Sequence, residues 1–464
     1  MIRAHSIEAV RGAERAAMAD LPQGTLMARA ALGLAEVAAA RLSDTGGATV
    51  VGLVGGGDNG GDTLYAVGHL AEAGYAAAVV LLASSGREGV HAEALAAAEA
   101  SGVMVHVAAG DPDLLEDAAD VVAEADLVLD GIVGIGGRPG LRPDAARLVD
   151  AIDDDAWVIA VDVASGLDPS GGAGEDDAVW ADETVTFGTP KPAHLLPAGE
   201  GATGVLTVVD IGVPFDDVPA AVERLTWDDV ATLWPVPQAS DDKYSRGVLG
   251  VVAGSEAYPG AAVLCTTAAA EAGVGMIRYV GTPTPVGLVH QAVPEAVVGE
   301  GRVQAWAVGP GLDTETDHAR LQLGAARAAL ASDLPLVVDA GGLDLVEGRR
   351  EAPTVLTPHA GELARFLTRL DGSTDRTQPP QSVGAGSDGT VHPVDRPAVT
   401  ADDVKADPLG HARRLAELTG GTVLLKGSTT FVVTEGQAVR AQADAPTWLA
   451  TAGAGDVLTG VIGT

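Results

Sequence analysis

The chain has 464 residues, enough for two domains with cores of their own and too many for a single small module. Apolar residues make up 47% and the mean hydropathy is +0.22, which excludes a wholly disordered polyelectrolyte. Acidic side chains number 64 against 28 basic ones, a net charge of −36, and that sign excludes nucleic acid or an anionic membrane held by a general positive field. Lysine occurs at Lys191, Lys243, Lys405 and Lys426, and aromatics are 3%. Such a surface suits molar salt, where a Debye length of roughly 3 Å screens dense like charge. Cys265 stands alone, so there is no intramolecular disulfide and no zinc site of several thiolates. The opening MIRAHSIEAVRGAERAAMAD lacks an apolar leader core, and no membrane-length apolar run follows. The expected location is the cytoplasm.

Helical spacing of Ile7, Val10, Met18, Leu26, Met27, Ala30 and Leu34 predicts two helices over 6–42, parted at Leu21-Pro22-Gln23-Gly24. Short apolar runs then alternate with helical stretches: strands at 48–54, 77–82, 103–107, 127–129, 158–163, 183–187 and 205–209, helices at 63–73, 90–100 and 113–123. That alternation predicts a mostly parallel sheet with crossover helices. The Pro-bearing stretch 211–219 places a domain boundary near residue 220, before a capped helix start at Leu225-Thr226-Trp227-Asp228-Asp229. The second half repeats the pattern, with strands at 248–252, 276–280, 305–308, 336–338, 355–356, 422–425 and 430–433. The fold class is therefore α/β, two doubly wound domains over 1–220 and 221–464. Residues 371–400, rich in Gly, Ser, Asp and Pro, read as a mobile insertion in the second.

Chemistry concentrates at strand ends. Gly55-Gly56-Gly57-Asp58-Asn59-Gly60-Gly61-Asp62 follows a strand and opens a helix, where bare backbone N–H groups and the helix dipole suit a phosphate. Leu129-Asp130-Gly131 and Ala160-Val161-Asp162-Val163-Ala164-Ser165 put further carboxylates at carboxyl ends of strands, where open α/β sheets bind ligands. The oxygens of Asn59, Asp130 and Ser165 are the kind that hold a monovalent cation. Each of these residues, taken singly, is more often a cap or a turn.

Taken together, the GGGDNGGD loop, the LDGIVGIGG loop, the VDVASGLD corner and the run Thr184-Val185-Thr186-Phe187-Gly188-Thr189-Pro190-Lys191 resemble the NAD(P)H-hydrate epimerase domain. The resemblance covers most of 6–213 and implies a Rossmann-like fold. It implies K⁺ at Asn59, Asp130 and Ser165. Substrate contacts fall on Asp58, Asn59, Gly60, Gly61 and Asp62, on Gly134, Ile135, Gly136, Gly137, Arg138, Pro139 and Gly140, and on Asp162. Lys191 is a candidate for ligand or catalytic contact. Asp58 replaces the family's usual asparagine, and Ala164 its usual proline.

In the second half, Ala452-Gly453-Ala454-Gly455-Asp456 combines an anion-binding turn with an aspartate at a helix start, as phosphoryl transfer requires. With Lys426-Gly427-Ser428-Thr429-Thr430, Val308-Gly309-Pro310-Gly311, Thr357-Pro358-His359-Ala360-Gly361-Glu362 and Lys243-Tyr244-Ser245-Arg246-Gly247, it resembles the ribokinase-like NAD(P)H-hydrate dehydratase. The resemblance runs from about residue 225 to the end of the chain and implies further helix beyond Thr464. It implies ADP on Lys426, Gly427, Ser428, Thr429, Thr430, Ala452, Gly453, Ala454 and Gly455. Substrate falls on Gly311, His359 and Asp456, with Asp456 as the base, and Mg²⁺ on the nucleotide oxygens. At a helix amino end the ionised form of Asp456 is expected to be favoured.

The function so implied is bifunctional nicotinamide-nucleotide repair, as isomerase and lyase: epimerisation of R and S hydrated NADH or NADPH, and ADP-dependent dehydration of the S form. The partners are these small molecules, with no nucleic acid or membrane, and a homo-oligomer stays open. The competing reading is a ribokinase-like kinase of a sugar or vitamin precursor fused to a nucleotide-binding domain, since fold alone permits it. A non-catalytic scaffold is a third reading.

Overall fold

The computed structural model describes residues 1–83, 85–108, 110–172, 177–313, 320–374 and 398–464. The chain divides into two compact units, Met1–Thr226 and Trp227–Thr464. No helix of the described residues is long and apolar enough to cross a membrane.

The first unit begins with β1 (Ile2–Ala4), α1 (Ile7–Met18) and α2 (Thr25–Thr45). Ser6 caps α1 by accepting from the Ala9 N–H at 3.3 Å. There follow β2 (Thr49–Val54), α3 (Asp58–Glu72), β3 (Ala76–Leu81), α4 (Ala92–Ala100), β4 (Met104–Val107), α5 (Pro112–Ala123) and β5 (Leu127–Gly131). The unit closes with α6 (Pro143–Val149), β6 (Trp157–Val161), β7 (Glu183–Phe187), α7 (Pro197–Thr203), β8 (Val205–Val209) and β9 (Val222–Arg224). Seven strands form a parallel sheet in the order β4-β3-β2-β5-β6-β7-β8. The period of two along β2 builds both faces. Val50 and Val54 pack with Leu34, Leu64 and Leu70 of α2 and α3, while Val51 and Leu53 pack with Ala118 and Val122 of α5. Each fully buried leucine contributes roughly 1.5–3 kcal/mol.

Strand order reverses between β2 and β5, which opens a crevice at their carboxyl ends. The chains meet closely there: a Cβ on Gly55 would sit 1.8 Å from the Ile132 carbonyl oxygen. The short β9 pairs antiparallel with β1, Ile2 opposite Arg224, so the first unit extends past residue 220 to Thr226.

The second unit holds α8 (Trp227–Leu233), β10 (Val248–Val252), α9 (Pro259–Ala272), β11 (Met276–Val280), α10 (Pro283–Ala292), β12 (Val297–Val298), β13 (Ala305–Val308) and α11 (Arg320–Ala331). Then come β14 (Leu336–Val338), β15 (Thr354–Leu356), α12 (Ala360–Thr374), α13 (Ala401–Ala406), α14 (Pro408–Thr419), β16 (Thr422–Leu425), β17 (Thr430–Val433), β18 (Val439–Gln442) and α15 (Ala454–Gly463). Among the described residues its sheet runs β18-β17-β16-β15-β14-β13-β10-β11-β12, parallel from β16 to β12 and antiparallel across β16, β17 and β18. Leu249, Val251, Ile277 and Tyr279 form a core with Ala262, Cys265 and Ala269 of α9. Of the expected insertion over 371–400, residues 371–374 complete α12 and Thr400 caps α13; 375–397 lie outside the described residues.

Candidate active sites

In the first unit the glycine run is helix sooner than its composition suggests: α3 begins at Asp58, not near Thr63. Gly60 and Gly61 are buried, with the Gly55 carbonyl oxygen and the Met27 methyl within 2.2 and 3.1 Å of where their Cβ atoms would stand. They serve packing, and the exposed backbone is that of Gly56, Gly57 and Asp58. Gly134–Gly140 is an irregular loop closed by Gly137 N–H to the Gly134 carbonyl at 2.9 Å, and tied to the corner after β6 by Gly140 N–H to the Gly166 carbonyl at 2.9 Å. Gly136, Arg138 and Pro139 are exposed on it.

Asp130 and Ser165 come together. Ser165 Oγ donates to Asp130 Oδ1 at 2.6 Å and Ser165 N–H to Oδ2 at 2.7 Å, while Val133 N–H donates to Ser165 Oγ at 3.0 Å. Burial pushes the Asp130 carboxyl up to about 6 against these hydrogen bonds. Asn59 faces the same loop, its Oδ1 lying 2.9 Å from where a Cβ of Gly134 would be, and its buried Nδ2 has no partner among the described residues. A fully buried carboxylate with neutral oxygen neighbours is a donor set that fits a monovalent cation.

The adjoining corner holds an ion pair. Asp162 sits at φ 68°, a left-handed conformation a non-glycine adopts at some cost. Its Oδ1 accepts from Lys191 Nζ and from Thr186 Oγ1 at 3.0 Å. Lys191 is 1% exposed and also donates to Thr186 Oγ1 at 2.8 Å and to the Phe187 carbonyl at 3.1 Å, so it is not a solvated surface charge. His194 Nδ1 accepts from the Lys191 N–H at 3.1 Å. Burial lowers His194 to about 4, which keeps it neutral. Asp62 is pushed well above the usual carboxylate range, by burial first and then by the charges of Asp162, Asp58 and Glu14. Glu14 of α1 is raised by burial and belongs to the same cluster.

In the second unit Asp339, Thr357 and Lys426 stand directly after three neighbouring strands, β14, β15 and β16. Lys426 Nζ donates to Asp339 Oδ1 at 2.6 Å and lies 3.7 Å from Glu362 Oε2. Thr357 Oγ1 donates to the same Asp339 oxygen at 2.8 Å. The glycine turn closes over this pair: a Cβ on Gly455 would lie 3.2 Å from Lys426 Nζ and 3.5 Å from Asp339 Oδ2. Gly453 is the N-cap of α15 at φ 90°, a conformation that favours glycine, and Asp456 is the third helical residue. Burial and the Asp339 carboxylate raise the Asp456 carboxyl, and Lys426 opposes them. The dipole therefore does not win, contrary to the expectation from sequence; the carboxylate is a stronger base for it.

His359 caps α12, its Nδ1 accepting from Gly361 and Glu362 N–H at 3.0 and 3.3 Å, and its ring is half exposed. Gly427, Ser428 and Ala452 are exposed, Thr429 is buried, and Thr430 begins β17. Gly311 stands beyond the end of β13 at φ 59°. Sequence reading missed Glu14 and Asp339 as site residues and named Thr357 only within its motif, although Leu336-Val337-Val338-Asp339-Ala340-Gly341 has the strand-then-aspartate form used elsewhere.

Gly455→Ala is expected to leave the melting temperature unchanged or raised, since alanine is the better helix former. The Cβ would nevertheless crowd an ammonium already anchored by Asp339. If this turn holds a nucleotide, as its resemblance implies, the Kd of that nucleotide should rise by about tenfold, equivalent to about 1.4 kcal/mol, with titration calorimetry as the check. An unchanged Kd would take Lys426 out of nucleotide binding.

Comparison with known proteins places the chain in a wider group. A family model described as YjeF-related protein N-terminus matches residues 23–193, and one described as NAD(P)H-hydrate dehydratase matches 249–464. The bifunctional NAD(P)H-hydrate repair enzyme Nnr of Mycobacterium tuberculosis is 43% identical over 99% of this chain and 88% of its own. That of Mycobacterium leprae is 41% identical over the same shares. Among solved structures, an ADP/ATP-dependent NAD(P)H-hydrate dehydratase from Bacillus subtilis aligns at 25% identity and a TM-score of 0.40, covering 53% of this chain and 79% of that one. With its two units matched in order by the two models and nearly all of its length aligned to enzymes of one name, the chain belongs to the bifunctional NAD(P)H-hydrate repair enzymes.

Proposed function

We propose that the first unit interconverts the R and S hydrates of NADH and NADPH, and that the second dehydrates the S hydrate at the expense of ADP. The observation that carries this reading is the closure of the Gly453–Gly455 turn over the Lys426–Asp339 pair, with Asp456 at its edge. Asp456 accepts the proton of the C6 hydroxyl as its oxygen attacks the β-phosphorus of ADP, and AMP leaves. Loss of the C5 proton and of phosphate from C6 then restores the C5–C6 double bond, because phosphate is a far better leaving group than hydroxide. Lys426 and the turn's N–H groups stabilise the transferring phosphoryl. Asp339 and Glu362 stand within ion-pair reach of Lys426, and its charge also acts on Asp456; this excess of carboxylates over ammonium fits Mg²⁺, which would be bound with ADP and would supply charge neutralisation there. His359 and Gly311 are assigned to the hydrate, Lys426–Thr430 and Ala452–Gly455 to ADP.

In the first unit the substrate's phosphates lie on the start of α3 at Asp58 and Asn59 and on Gly134–Gly140. C6 bears both a hydroxyl and the ring nitrogen, so its configuration is lost when one of those bonds breaks and reforms. The Asp162–Lys191 pair and the neighbouring Asp62 deliver and remove the proton. K⁺ held by Asn59, Asp130 and Ser165 would offset the carboxylates near those phosphates. At constant ionic strength, KCl in place of NaCl should raise the melting temperature of the wild type and not of Asp130→Asn; equal responses would remove K⁺ from this site. The acidic, lysine-poor surface supports a salt-rich cytoplasm as the setting.

The deciding assay follows the absorbance of reduced nicotinamide on adding ADP or ATP to mixed R and S hydrates. Full recovery supports both activities. Recovery of the S share alone would refute the epimerase, and a stable phosphorylated product would favour a ribokinase-like small-molecule kinase.

A further inference from the structure

The motif Lys243-Tyr244-Ser245-Arg246 stands just before β10, at the amino edge of the second unit's parallel strands. Asp339, Thr357 and Lys426 stand at the opposite, carboxyl edge. A strand the length of β10, five residues, separates the two edges by roughly 17 Å. The motif therefore takes no part in the phosphoryl-transfer site.

A cavity of about 370 Å³ opens on that amino edge. Val248, Met276 and Val303 give it apolar lining, and Tyr244, Arg278, Arg302 and Gln304 supply the rest. Arg278 is held by the close approach of Gly301, where a Cβ would stand 2.4 Å from the guanidinium carbon, and its Nη1 donates to the Glu300 carbonyl at 3.3 Å. Its Nε is shut away from solvent without a hydrogen-bond partner among the described residues. Lys243 Nζ stands 5.1 Å from the centre of the Tyr244 ring. Asp242, next in the chain, accepts instead from Tyr244 and Ser245 N–H at 2.7 and 2.9 Å.

Acids outnumber bases by more than two to one, 64 against 28, and cations in such a chain readily find carboxylates. Among the described residues Lys243, Arg278 and Arg302 have none in ion-pair reach. Arg278 and Arg302, two cations without a carboxylate, beside apolar lining in a space within the ordinary range for small ligands, form an anion receptor. Guanidinium groups bind phosphate in two-point fashion, and a ring and aliphatic lining suit an organic group attached to it.

We propose that this cavity is a second anion site, separate from the phosphoryl-transfer centre, which takes a small phosphate-bearing organic molecule. The phosphate meets Arg278 and Arg302, and the organic part lies on Tyr244 and the apolar lining.

The test is calorimetric titration of the full chain with AMP and with inorganic phosphate at low salt. Wild type should bind one more equivalent of AMP per chain than Arg278→Gln/Arg302→Gln, and that double variant should keep its ADP-dependent recovery of reduced nicotinamide. Arg302 is exposed, so Arg302→Glu should fold normally and weaken the extra equivalent by about tenfold or more. Arg349→Gln, altering an exposed pair with Glu435, should change nothing. AMP should bind this site more tightly than inorganic phosphate. Identical isotherms for wild type and both pocket variants would overturn the site, as would an equal loss in Arg349→Gln. Equal affinity for AMP and inorganic phosphate would overturn the organic part.

Discussion

Asp456→Asn is expected to fold as the wild type does and to lower ADP-dependent regeneration of the reduced nucleotide by about 10² to 10⁴-fold, the usual loss when general-base help is removed. Asparagine keeps the shape at the start of α15 but cannot accept the hydroxyl proton. R-to-S interconversion should continue, because the residues proposed for it all lie in the first unit, and chromatographic separation of the two hydrates measures it. The pH profile adds a second reading. Burial and Asp339 raise the Asp456 carboxyl, so the rate should fall with falling pH at values above the ordinary aspartate range, as the base takes up its proton. Asp339→Asn removes the negative neighbour and releases Lys426, and both changes move that acid limb downward. A limb that stays in place in Asp339→Asn would mean the two carboxylates do not interact, and near-normal turnover in Asp456→Asn would dismiss it as the base.

Lys191→Met should be the most damaging change to stability. The Lys191 side chain is 1% exposed and that of Asp162 10%, and removing one partner of a buried pair leaves the other charge uncompensated, at about 3–5 kcal/mol. The loss is aggravated by the surrounding carboxylates of Asp62, Asp58 and Glu14. Urea denaturation should show the first unit unfolding earlier, with epimerisation abolished. Lys191→Met/Asp162→Asn separates fold from chemistry: asparagine tolerates the left-handed backbone at φ 68° and carries no charge. The double variant should recover most of the stability and none of the epimerase activity. A single variant as stable as wild type would show that the pair contributes little.

The parallel strands were legible because both faces of each are covered, which makes β2 or β5 an almost unbroken apolar run. What escaped were β1, β9, β12 and β18, between two and four residues long; Ile2-Arg3-Ala4 and Val439-Arg440-Ala441-Gln442 are too short or too polar to show a period. The early start of α3 was hidden by its glycines, poor helix formers whose value lies in packing against Gly55 and Met27. Candidate residues could be named where one short segment supplied them, as at Asp456 or Asp130. Asp339 was missed because its role depends on Lys426, 87 residues away, and the direction of the Asp456 shift was misread for the same reason: the dipole is local and visible, the opposing carboxylate is not.

The placing of the lysines has a practical consequence. Of the chain's four, Lys191 is sealed in its ion pair and Lys426 is 23% exposed and bound to Asp339. Only Lys243, exposed beside Tyr244, and Lys405, 68% exposed, are open to bulk solvent. Acylating reagents aimed at side-chain amines should therefore mark the native protein at two places, both remote in sequence from the catalytic motifs, and mass spectrometry of the labelled peptides would read the folded state directly. Appearance of label on Lys191 would report opening of the first unit; its appearance on Lys426 would report loosening of the second.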